Sequence, residues 1–122
     1  MPPVNVQFGQ LIRKLREEKR KTNPAFSLRR FAQEVGVSAA YLSKLEMGEA
    51  LPPKAEKIKV IAKLLETDAD ELLALAGKVD PILPELIREK PRMADFLRSA
   101  READLTNEQI EALTQRVKNG DF

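Results

Sequence analysis

The chain has 122 residues, 43% hydrophobic, 33% charged and only 5% aromatic, which suits one helix-rich domain with an appendage and argues against a disordered or β-rich chain. Cysteine and histidine are both absent, which removes disulfides, thiolate nucleophiles, imidazole bases and most zinc or haem ligation. Net charge is only +2, but residues 1–66 carry 13 basic and 7 acidic side chains while residues 67–122 carry 8 and 12, so a polyanion is drawn to the N-terminal half.

The carboxylates are scattered on helix faces beside Lys and Arg, as on a solvated surface, so no catalytic residue, metal site or cofactor is expected. No apolar run approaches the roughly 18 residues that cross a bilayer, and MPPVNVQFGQ lacks a basic region followed by an apolar core. The expected location is the cytoplasm, with no membrane partner.

Pro2 and Pro3 are expected to leave residues 1–5 loose, with a first helix from Val6 to Arg20. Phe8, Leu11, Ile12 and Leu15 form its buried stripe, Arg13, Lys14, Glu17 and Arg20 face away, and Arg16 sits at the edge. Lys19 faces inward. The basic loop KRKTNPAF follows, residues 19–26, in which Phe26 returns the chain to the core. The loop either adds phosphate contacts or is a basic surface loop.

From Ser27 to Gly48 the chain reads SLRRFAQEVGVSAAYLSKLEMG. Leu28, Phe31, Ala32 and Val35 recur at i, i+3, i+4 and i+7, which predicts a short amphipathic helix. Ser27 can cap it, and Gly36 follows where a tight turn needs positive φ. Ser38 can cap a second helix, in which Leu42 and Leu45 point inward while Ala40, Lys44 and Met47 point away, flanked by Tyr41 and Ser43. Two short helices joined through a glycine turn describe a helix-turn-helix. Little bulk on the outer face of the second helix suits close approach to the floor of a DNA major groove.

The pair Phe31-Ala32, the turn Gly36-Val37-Ser38, and Tyr41-Leu42-Ser43-Lys44-Leu45-Glu46 followed by Gly48 resemble the lambda-repressor/Cro-like, or XRE, family of bacterial and phage DNA-binding regulators. The likeness covers roughly residues 6–77. It implies an all-α fold with a five-helix DNA-binding domain. It also implies that Arg16 pairs with Glu46, which the helical register turns toward the interior; Lys19 is the weaker candidate. The connector at residues 19–26 is longer than the family's. Leu28 stands where the family often has a glutamine, so a phosphate there must be met by Ser27, Arg29 or the backbone.

Beyond Gly48, the loop Glu49 to Pro53 leads to a helix opened by Lys54 and Lys57, with Ile58, Ile61, Ala62 and Leu65 on one face and lysines able to reach the DNA backbone. Thr67 or Asp68 caps a fifth helix bearing Leu72, Leu73, Leu75 and Ala76, stopped by Gly77. The DNA-binding domain is therefore expected over 1–78, with about three further helices over 79–122. Pro81, Pro84 and Pro91 punctuate that segment, and Thr106-Asn-Glu-Gln109 is a capping-box signature. Helices of this size bury little alone and need another surface: a second copy, the DNA-binding domain, or a different protein.

The reading is a sequence-specific transcriptional regulator, a repressor that acts as a dimer on a pseudo-palindromic site in double-stranded DNA without a cofactor. Base contacts are expected from Ala39, Ala40, Tyr41 and Lys44, and backbone contacts from Ser27, Arg29, Ser38, Ser43 and Lys54. Alternatives are an antitoxin or protease-controlled repressor whose C-terminal helices bind a toxin or protease, and an adaptor that binds only proteins. RNA binding is disfavoured, because Tyr41 is the only tyrosine and there is no tryptophan.

Overall fold

The computed structural model describes residues 4–122. Among these the chain is all-α, with no strand. Helix α1 runs Val4–Arg20, two residues longer at its start than expected. A proline obstructs a helix only in its interior, so Pro3 does not hinder one that begins just after it. The expectation that residues 1–5 are loose lies, for residues 1–3, outside the described residues; Val4 and Asn5 are helical.

A single 3-10 turn, Pro24–Phe26, fills the connector, with the Asn23 side chain accepting the Ala25 N–H at 2.9 Å. Helices α2, Leu28–Val35, and α3, Ala39–Glu46, follow. Each opens on a serine that accepts an N–H three residues on, Arg30 to Ser27 at 3.3 Å and Tyr41 to Ser38 at 3.0 Å. Such a cap contributes about 1 kcal/mol. Between them Gly36 takes φ 87°, the left-handed conformation that the turn requires.

Helix α4, Ala55–Leu65, ends on Glu66, a non-glycine residue at φ 54°. Asp68, not Thr67, caps α5, Ala69–Leu75. α1 packs on α3, α4 and α5, α2 on α3 and α4, and α4 on α5. Their apolar stripes converge on one core: Phe8 and Ile12 from α1, Phe31 from α2, Leu42 and Leu45 from α3, Ile58 and Ile61 from α4, Leu72 from α5. Each is essentially inaccessible to water, which is why five short helices hold together.

The chain divides into two compact units, Met1–Pro81 and Ile82–Phe122. The division falls three residues after the expected boundary at residue 78, and a Lys59–Asp80 ion pair of 3.3 Å ties this stretch to α4. The second unit holds α6, Ile82–Glu89, α7, Arg92–Glu102, and α8, Asn107–Lys118. Thr106 and Gln109 form a reciprocal capping box at the start of α8. None of this unit's side chains is buried. α7 and α8 line an apolar groove of about 250 Å³ that includes Phe96, Leu97, Ile110, Leu113 and Val117.

Candidate nucleic-acid interface

Along α3 the sequence sorts side chains by angle, and the structure keeps that order. Leu42, Leu45 and Glu46 are buried; Ala39, Tyr41 and Ser43 are half-buried; Ala40, Lys44 and Met47 are exposed. Ala40 and Lys44 are one helical turn apart, so a methyl and an ammonium share an otherwise low face.

The carboxylate of Glu46 is buried, and Arg16 meets it with two donors, Nε to Oε2 at 2.7 Å and Nη2 to Oε1 at 2.9 Å. The same guanidinium donates to the Phe26 carbonyl at 3.0 Å and to Glu17 at 2.9 Å. Hydrogen bonding to Glu46 raises the Arg16 pKa further, against the cost of burial. Lys19, the weaker candidate for Glu46, pairs instead with Glu66 at 2.6 Å and stands 5.7 Å from the centre of the Phe26 ring. Phe26 in turn stacks on Phe31. The long connector is thus pinned to α1 and α2 by its last residue.

Tyr41 turns its hydroxyl to the loop after α3 and donates to the Leu51 carbonyl at 2.7 Å. Burial pushes the phenol pKa up, so the proton stays there. The Tyr41 hydroxyl is thus engaged within the domain. Ser27 and Ser38 each accept one amide hydrogen, and their hydroxyl hydrogens remain available to an oxyanion. Arg29 is exposed in the first turn of α2, where free N–H groups and the positive dipole end also favour phosphate. Ser43 lines a groove of about 290 Å³ with Arg13, Arg20, Glu17, Glu46, Leu28 and Met47, so both signs of charge face it. Lys54 is exposed at the N-cap of α4, beyond the loop.

Two lysines of α4 do not reach outward as expected. Lys57 donates to the Val35 carbonyl at 3.0 Å, and Lys59 pairs with Asp80. Sequence reasoning also missed Gly9, where a Cβ would collide with the Leu45 carbonyl oxygen; a glycine in the middle of a strong helical run was the available signal. The sequence marks Lys57 only as a lysine near the start of a helix, not as a partner for the Val35 carbonyl.

No helix among the described residues is long and apolar enough to cross a membrane. Comparison with known proteins points to the motif the geometry displays. A helix-turn-helix domain family matches residues 7–75. RghRB of Bacillus subtilis (strain 168), described as an uncharacterized HTH-type transcriptional regulator, is 37% identical over 82 residues, 67% of this chain and 55% of its own length. RghR, an HTH-type transcriptional repressor of the same organism, is 35% identical over 75 residues, 62% of this chain and 52% of its own. SlrR, an HTH-type transcriptional regulator, is 35% identical over 65 residues, 53% and 40%. The chain thus spans about half the length of the curated relatives it matches. No solved structure matches. With a serine-capped α3 that leaves Ala40 and Lys44 bare, and a family match over most of the first unit, the chain belongs to the helix-turn-helix domain family.

Proposed function

We propose that this protein is a sequence-specific DNA-binding transcriptional regulator of the XRE type, acting in the cytoplasm by binding and not by catalysis, and that it represses by occluding its site. The observation that carries the reading is the exposed Ala40–Lys44 face of a capped α3. Lys44 donates to guanine O6 or N7, and Ala39, Ala40 and the Tyr41 ring edge meet thymine methyls. Ser27, Arg29, Ser38, Ser43 and Lys54 hold the phosphates on either side. The names of the relatives, repressor among them, support this assignment.

Selection of bound sequences from random duplexes identifies the operator and tests the reading. On that operator Lys44→Ala loses about 1–3 kcal/mol and broadens base preference at one position, whereas Arg29→Ala weakens all sequences alike. Equal losses on operator and random DNA for Lys44→Ala refute direct readout.

The DNA-binding domain is proposed to end near residue 78 and the remaining helices to join two copies. Half-sites read by this fold lie about 34–36 Å apart, which calls for a two-fold dimer. Residues 82–122 carry 7 basic and 8 acidic side chains, so their apolar faces can meet a second copy without charge repulsion. A toxin or protease partner is the second reading, favoured by the same groove between α7 and α8. Sedimentation of a monomer at tens of micromolar, with copurification of another protein, selects the second.

A further inference from the structure

The joint between α2 and α3 is a short turn. Three residues, Gly36 to Ser38, separate the two helices. At the end of α2 the Gly36 N–H is shared between the carbonyls of Ala32, 2.9 Å, and Gln33, 3.2 Å, and the Val37 N–H returns to Ala32 at 3.0 Å. The Val35 carbonyl, one of those a helix end leaves without an amide donor, accepts instead from Lys57 Nζ on α4 at 3.0 Å. The ammonium also faces the negative end of the α2 dipole. It sits so close to the turn that a Cβ at Gly36 would lie 3.0 Å from Nζ.

We propose that Lys57 is a positioning residue that clamps this joint and so sets the angle between α2 and α3. The inference rests on the DNA-binding reading above. In that reading the first turn of α2 seats a phosphate while α3 reads bases, and the joint, together with the shared core of Phe31, Val35, Leu42 and Leu45, keeps the two in register. The far end of α3 is held by Arg16 on Glu46, and the Tyr41 hydroxyl ties the first turn of α3 to Leu51 in the loop beyond it. Lys57 completes the constraint from a third helix. A loose joint lets the phosphates hold the protein while α3 samples several placements, so operator binding suffers and general DNA binding does not.

The test uses the full chain with Lys57→Met and Lys57→Arg, measuring affinity for the selected operator and for random duplex over a range of salt, alongside thermal melting. Lys57→Met lowers operator affinity about tenfold, the size of a lost charged hydrogen bond, with random-duplex affinity and the salt slope unchanged. Lys57→Arg, which keeps the charge but not the tetrahedral head, shows a smaller fall of the same kind, and decides the matter alone should Lys57→Met not fold. A uniform loss on both DNAs with the slope reduced by about 0.9 would make Lys57 a phosphate contact and overturn the clamp. A lowered melting temperature with an unchanged operator-to-random ratio overturns it as well, since that is a merely structural role. Wild-type protein that selects no sequence at all removes the regulator reading together with the clamp; failure in the variants alone removes only the clamp.

Discussion

Arg16 concentrates the stability argument for single residues. It is 3% exposed, Glu46 is 6% exposed, and one guanidinium serves α3, the connector and its own helix. Replacing it with alanine strands the Glu46 carboxylate, at a cost of about 3–5 kcal/mol in urea unfolding. Replacing both partners with apolar residues recovers much of that loss, and a double variant no more stable than Arg16→Ala would argue against a desolvated carboxylate as the cause. Glu66 offers a pH readout. Its hydrogen bond to Lys19 and the charge of that lysine hold its carboxyl below the usual range, although the side chain is well exposed. A depressed carboxylate contributes stability above its unfolded pKa, near 4.3, and loses it as pH falls through the lower folded value. NMR titration should place the Glu66 midpoint below that reference, and Lys19→Met should return it; a midpoint unmoved by the substitution refutes the pairing.

Among the elements, α1 and α3 approach as closely as backbones allow, and Gly9 is the reason. A Cβ there meets the Leu45 carbonyl oxygen and comes within 3.0 Å of its carbon, atoms of backbone that cannot rotate away. Gly9→Ala is therefore expected to destabilise by about 3 kcal/mol, the upper end for overpacking, although alanine favours helix elsewhere. An unchanged melting temperature would show that α1 can shift at no cost. Helix positions were largely legible, because the 3.6-residue stripes of Phe8 with Ile12, Phe31 with Val35 and Ile58 with Leu65 are all buried. Ends were less so. Val4 joined α1 earlier than the prolines suggested, and α4 stops at Glu66 in a left-handed conformation that its residue type does not announce.

At the scale of the whole molecule, the buried apolar side chains among the described residues lie within residues 8–76, while Ile82–Phe122 buries none. Removal of residues 82–122 should leave the melting of the first unit nearly unchanged, by circular dichroism, while lowering affinity for a two-fold operator. Loss of the helical signal in the shortened chain would show that the first unit depends on the second. Binding to random duplex should weaken by about 0.9 in log K per decade of salt for each phosphate neutralised. A flat titration would favour a protein-binding adaptor.

The order of residues by itself determined the helices, their inward faces and the low outer face of α3, because periodicity and capping act over a few residues. It also exposed Glu46 as a charge turned toward the interior and Arg16 as one at the edge of the α1 stripe, though their pairing was implied by resemblance. Only the tertiary structure decided which groups from distant segments meet. Lys57 on the Val35 carbonyl, Tyr41 on Leu51 and Lys19 on Glu66 span 22, 10 and 47 positions. A flexible side chain has many partners within reach, and the packing of the helices between them selects one.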